Sequence, residues 1–160
     1  MTTSAPVPPL TGSITIAVPV EQAFAVFAGS LGTWWPRDYH IGQAALAEAV
    51  LEPRRGGRWY ERGVDGSECD WGTVLAWEPP HRIVVTWQIN GQWQYDPDLA
   101  HASEIEVRFS ADGPAQTTVA LEHRLLERLA GGQAISDAIR GGGGWTAILE
   151  LFAKAAADAG

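Results

Sequence analysis

Residues 103–124 read SEIEVRFSADGPAQTTVALEHR, and this stretch decides the fold. Ile105, Val107 and Phe109 alternate with Glu104, Glu106 and Arg108. After Asp112-Gly113-Pro114 the alternation resumes, with Val119, Leu121 and His123 set against Thr118, Ala120 and Glu122. Successive strand side chains point to opposite faces, so the pattern describes two half-buried strands joined by a tight turn. One face of such a pair is apolar and needs a cover. The chain supplies one downstream: Trp145, Ile148, Leu149, Phe152, Ala155 and Ala156 recur at helical spacing after the four glycines of residues 141–144.

Upstream, the same period-2 reading places strands at residues 46–52, 58–62, 70–78 and 82–90, with Gly- or Pro-rich turns between them. Residues 13–18 form an opening strand. Pro19 then starts a helix that carries Val20, Ala23, Phe24 and Phe27 on one side. Trp34-Trp35-Pro36 follows in a short helix or turn. Residues 90–100 read as a longer loop, and residues 125–140 as one short, irregular helix. Residues 1–12, rich in Pro, Thr and Ser, read as a flexible tail ahead of a single domain over 13–160. The fold class is therefore α+β: a curved antiparallel sheet of about six to seven strands with a long C-terminal helix across it.

A chain of 160 residues is one domain long and can bury a core with a cavity beside it. Eleven basic and 19 acidic residues give a net charge of −8, and Lys154 is the only lysine. With no basic run, nucleic acid and anionic membrane surfaces are not expected partners. No apolar run approaches the roughly 18 residues of a spanning helix. The N-terminus carries no basic residue and holds Pro6, Pro8 and Pro9, so no signal peptide is read there. Cys69 stands alone between acids, which suits an inert thiol in a reducing compartment, and a cytoplasmic location is expected.

Four motifs in order resemble one known family. They are Leu31-Gly32-Thr33-Trp34-Trp35; Gly56-Gly57-Arg58-Trp59-Tyr60-Glu61; Gly72-Thr73-Val74-Leu75 running on to Trp77-Glu78-Pro79-Pro80-His81-Arg82 and Trp87; and residues 117–123 followed by Gly144-Trp145 and the amphipathic helix. Together they resemble the AHSA1-like proteins, named after the activator of the Hsp90 ATPase, within the START-like (SRPBCC) superfamily. That resemblance implies a helix-grip fold with a cavity between sheet and C-terminal helix. It also implies no cofactor, a small hydrophobic ligand as partner, and frequent homodimers. The wider superfamily includes polyketide aromatase/cyclases, lipid carriers and proteins that protect against reactive natural products.

Eight tryptophans are the clearest anomaly in the composition. Each brings a large apolar surface and one N–H that wants a partner when buried. Such residues pack cores, and they also line cavities for flat ligands. Trp87 and Trp145 are the first lining candidates, with Trp35 at an entrance, Trp59 and Trp71 on neighbouring strands, and Leu149 on the covering helix. His123 shares the apolar face of Val119 and Leu121. It reads either as an acid/base or hydrogen-bonding contact to a ligand or as a satisfied core histidine. Glu61 shares parity with Trp59, and a buried carboxylate there needs a partner; Tyr60 has the opposite parity. His40, His81 and His101 fall at turns and are expected to be exposed. Neither a metal-ligand spacing nor a nucleophile motif is present.

Three functions are compatible with these residues. The first is a binding module for a hydrophobic, aromatic small molecule. The second is a polyketide cyclase or dehydratase using His123 as acid/base. The third is a co-chaperone or protein-interaction domain.

Overall fold

Strands β6 (Ser103–Gly113) and β7 (Gln116–Arg124) pair as the alternation requires, with Val107 opposite Leu121 and Phe109 opposite Val119. The computed structural model describes residues 6–158. It adds β1 (Leu10–Ile16), β2 (Leu46–Leu51), β3 (Arg58–Gly63), β4 (Glu68–Glu78) and β5 (Arg82–Trp87) to one antiparallel sheet ordered β1-β7-β6-β5-β4-β3-β2. Helices α1 (Val20–Gly29) and α2 (Leu31–Trp34) bridge β1 and β2. Helices α3 (Gly132–Gly141) and α4 (Gly144–Asp158) close the chain. This is the expected α+β helix-grip architecture.

The sheet curls because β4 carries two extra residues. Trp59 pairs with Gly72 but Tyr60 with Asp70, so Trp71 stands outside the ladder. Val74 pairs with Val85 but Ala76 with Val84, which leaves Leu75 over. Bulges bend a strand and increase its twist. At the first bulge the backbones come very close: a Cβ on Gly72 would lie 1.9 Å from the Thr86 carbonyl oxygen. The concave face holds Ile83, Val85, Ile105, Val107, Phe109, Val119 and Leu121, all buried. Phe24 and Phe27 of α1 and Phe152 of α4 pack down on it, with Phe27 5.2 Å from Phe152 and 5.5 Å from Phe109 between ring centroids. Each such burial contributes about 1.5–3 kcal/mol.

Three details differ from the periodicity reading. Strand β1 begins at Leu10, so residues 10–12 of the expected tail are laddered to β7; residues 1–5 of that tail lie outside the described residues. Residues 125–140 do not make one helix. Leu125 takes a left-handed φ of 60°, a 3-10 turn follows at Leu126–Arg128, and α3 starts after Gly131, also left-handed at φ 74°. On the convex face Glu106 is buried rather than solvated, because Arg82, Arg108 and Arg124 close around it. Its burial opposes ionisation, but hydrogen bonds from Arg82 and Arg124 and the charge of Arg108 outweigh that and hold the carboxyl below its usual range.

Gly72→Ala is expected to lower stability by about 3 kcal/mol, a fall of about 6–12 °C in melting temperature. Gly29→Ala, at a helical site with nothing within 4 Å, should leave the melting temperature unchanged or raise it slightly. Thermal unfolding followed by circular dichroism measures both.

Candidate ligand-binding site

Four elements each send one indole to the same place. Trp35 follows α2, Trp71 is the bulged residue of β4, Trp87 ends β5, and Trp145 lies in the first turn of α4. Ring centroids are 5.2 Å apart for Trp35 and Trp71, 6.3 Å for Trp35 and Trp145, and 6.0 Å for Trp87 and Trp145. Every indole N–H of this set is taken by the protein. Trp35 donates to the Tyr39 carbonyl (2.8 Å), Trp71 to Glu61 Oε1 (2.9 Å), Trp87 to the Ile89 carbonyl (2.9 Å), and Trp145 to His123 Nδ1 (3.3 Å). The space between them therefore meets ring faces and edges, with no indole donor left over.

That space is a cavity of about 480 Å³, within the range of about 300–1,000 Å³ that small-molecule sites occupy. Its remaining walls come from residues 38–41, from Ile89 and Trp93, from Ala138 and Ile139 of α3, and from Gly142, Gly144 and Ile148. Tyr39 and Trp93 stand 43% and 46% exposed among these lining residues, which puts aromatic surface at the mouth. The position is a correction to the expected cavity. Deep between sheet and α4, aromatic side chains fill the grip and leave a void of about 30 Å³, room for about one water. The usable space lies at the end of the grip, under α3 and the loop after α2.

The eight side chains singled out in the sequence separate accordingly. Trp35, Trp71, Trp87 and Trp145 line the cavity, whereas Trp59 and Leu149 line the small inner void. Trp59 backs the wall, 5.3 Å from Trp71 and 6.1 Å from Trp87. Glu61 and His123 are not among the lining residues. The bulge falls in β4 and not in β3, so Tyr60 stays on the convex side, under the Arg58 guanidinium at 3.9 Å.

His123 is fully buried and neutral. Since Trp145 donates to Nδ1, Nε2 carries the proton and donates to Ser103 Oγ (2.9 Å), which in turn donates to the Trp87 carbonyl (2.9 Å). One imidazole thus ties two cavity rings together from behind. Burial pushes its pKa down to about 3, and its place in the wall puts it out of reach of a ligand. Glu61, 1% exposed, accepts three N–H groups: Ile41 (2.5 Å), Gly42 (3.1 Å) and the Trp71 indole. All its partners are donors, as an ionised carboxylate requires. Arg108 and Arg124 do not meet it; both face Glu106 on the convex side.

A cavity-lining side chain that periodicity misses is that of His40. Expected at an exposed turn, it lines the cavity with its side chain 24% exposed. Nδ1 lies 3.0 Å from the Gly42 carbonyl and 3.8 Å from Glu61 Oε2. A loop has no period from which to read facing; the dense run Asp38-Tyr39-His40 beside Trp34-Trp35 was the only available signal. Cys69 is no nucleophile: burial first, then the charges of Glu61 and Asp70, push its thiol up. Among the described residues no group of three His, Cys, Asp or Glu side chains is placed to hold a metal ion, and no helix is long and apolar enough to cross a membrane.

Comparison with known proteins finds one matching family, described as Activator of Hsp90 ATPase homolog 1-like protein, over residues 17–157. No curated protein matches. Among solved structures, an anthrahydroquino-gamma-pyrone synthase determined as a complex is 39% identical, covering 94% of this chain and 97% of its own, at a TM-score of 0.66. CalC, a self-sacrificing resistance protein from Micromonospora echinospora, is 29% identical, with 96% of each chain covered and a TM-score of 0.69. A protein from Nitrosomonas europaea shares the fold at 16% identity and a TM-score of 0.65.

The buried imidazole makes stability depend on pH. Its folded pKa of about 3 lies below the unfolded value of 6.5, so the unfolded chain binds the extra proton between those values. This contribution is present above about 6.5 and is lost as pH falls toward 3, at about 1.4 kcal/mol per pH unit. In urea unfolding at pH 7, 6 and 5, wild type is expected to lose more stability than His123→Gln, by about 0.7 kcal/mol from pH 7 to 6 and about 1.2 kcal/mol from pH 6 to 5; equal losses contradict it.

Proposed function

This chain belongs to the Activator of Hsp90 ATPase homolog 1-like family, and from that footing we propose that it binds a planar, fused-ring aromatic molecule in the four-tryptophan cavity. The observation that carries the reading is that the four buried lining indoles, those of Trp35, Trp71, Trp87 and Trp145, have their N–H groups committed to the protein. Such a wall rewards flatness and aromatic surface rather than hydrogen-bonding capacity. Burying about 250 Å² of ring surface contributes about 6 kcal/mol, and each edge or offset-stacked contact about 0.5–1.5 kcal/mol more. After the cost of association, an affinity in the micromolar range follows. The name of the 39% identical synthase contains a fused aromatic of this kind. A lone cysteine and an acidic composition suit a cytoplasmic setting, which forms part of the proposal.

A second reading is favoured by the same relative: the chain closes rings on a polyketide-type aromatic instead of only holding it. Identity of 39% across 94% of the chain supports a shared chemistry, and 29% identity to a resistance protein supports binding alone. Native mass spectrometry of freshly purified protein separates the two. A retained compound that on incubation loses water, or is converted at constant mass to an isomer of different chromatographic retention, supports turnover; one recovered unchanged supports binding alone.

Calorimetric titration tests the binding reading. Alizarin, a three-ring planar probe, is expected to bind saturably in the micromolar range, whereas camphor, apolar but not planar, does not. Trp87→Ala and Trp145→Ala each weaken alizarin about tenfold or more. Trp77→Phe, which alters a ring packed on Phe24 away from the cavity, leaves the affinity as it was. Alizarin affinity indifferent to both alanine changes would refute the site.

A further inference from the structure

The cavity is apolar on almost every side. Helix α3 contributes Ala138 and Ile139, α4 contributes Trp145 and Ile148, and the sheet side contributes Trp71, Trp87 and Ile89. Among the described residues, ionisable side chains enter it only from the loop after α2. Asp38 and Tyr39 sit exposed at the rim, and His40 is set deeper. The Nδ1–H of His40 donates to the Gly42 carbonyl at 3.0 Å, so Nε2 is the ring nitrogen left to a ligand, and in the neutral ring it is an acceptor. Behind the imidazole lies Glu61, with Oε2 3.8 Å from Nδ1, its carboxylate fixed by three N–H donors. The same carboxylate holds the Trp71 ring. The acceptor nitrogen and the stacking wall therefore share one anchor.

Resting on the binding reading above, we propose that the ligand carries a phenol in the plane of its fused rings and that His40 accepts the phenolic proton. The O–H bond breaks and the proton moves to Nε2. The bound pair is a phenolate beside an imidazolium, with the Glu61 carboxylate behind it. No electron changes hands and no other reactant enters. A fused aromatic offers few groups that can meet a lone acceptor at the edge of a stacking slot, and a ring hydroxyl is the one that lies in the slot's plane. The imidazolium also answers a charge problem. The chain carries −8, and Asp38 and Glu61 stand beside the site, so a phenolate without a cation beside it is repelled. Arg37 does not supply that cation, since it is spent on the carbonyls of Leu46 and Ala47.

Alizarin and its dimethyl ether test this, because alizarin's visible absorption differs between phenol and phenolate and the ether has the same rings with no ionisable group. At a pH below alizarin's own first ionisation, and with protein in saturating excess, the wild-type complex is expected to show the phenolate band. His40→Gln removes the band and weakens alizarin about fivefold, while Trp77→Phe, away from the cavity, keeps it. The ether binds wild type about fivefold more weakly than alizarin and is insensitive to His40→Gln. A wild-type complex that binds alizarin without the band overturns the proposal. So does a band that survives His40→Gln, or an ether that binds as tightly as alizarin to wild type. The last comparison needs no variant to fold. If alizarin does not bind wild type at all, the binding reading itself fails and takes this proposal with it.

Discussion

The Glu61 carboxylate and its three N–H donors hold the site in place. Two of the donors are backbone amides of the loop after α2 and the third is the indole of the bulged Trp71. Buried polar groups must be paired, and removing this acceptor would strand three donors at about 1–3 kcal/mol each. That penalty gives the loop one position and the bulged ring one orientation. Gly42 belongs to the same arrangement: a Cβ there would come within 2.9 Å of Glu61 Oε2, so the amide reaches the carboxylate only because the residue has no side chain. Without this contact neither His40 nor the face of Trp71 would have a defined place at the cavity.

On the far side of the cavity His123 does the equivalent work with neutral groups. It joins the indole of Trp145 on α4 to Ser103 on β6 and, through that hydroxyl, to the backbone of Trp87 on β5. The helix that closes the grip is thus keyed to the sheet by a polar chain in an otherwise apolar interior. Such a chain is fully satisfied only in one arrangement, which specifies that arrangement more sharply than apolar packing does. The two anchors, one charged and one neutral, set opposite walls of a slot whose surface is aromatic carbon.

Much of this was legible in the sequence. The alternation through residues 103–124 fixed the facing of Val107, Phe109, Val119 and Leu121, and the spacing from Trp145 to Ala156 identified the covering helix. Parity also set His123 correctly toward the interior. It could not say whether that interior was hollow or filled, and in the structure the imidazole is enclosed by ring and hydroxyl partners. The cavity itself entered from the family resemblance and sits further toward the end of the grip than that resemblance implied. The bulge at Trp71 was invisible because it depends on how β4 registers against β3, a tertiary fact with no local pattern. His40 was missed for the same reason: a loop side chain is aimed by what it bonds to, here Gly42 and Glu61, and not by periodicity.

The division of the cavity between sheet and loops bears on how such a protein diversifies. Trp71 sits at the bulge of β4, Trp87 ends β5 and Trp145 starts the helix packed across the sheet, and altering them disturbs the hydrogen bonds that hold the frame. The rim side chains of Asp38, Tyr39 and Trp93 and the exposed flank of α3 touch that frame lightly. A descendant of this chain can exchange its rim, admitting a differently decorated ring system, while inheriting the aromatic slot intact. Selectivity and foldability are thereby written in separate parts of the chain, and a lineage can revise the first without putting the second at risk.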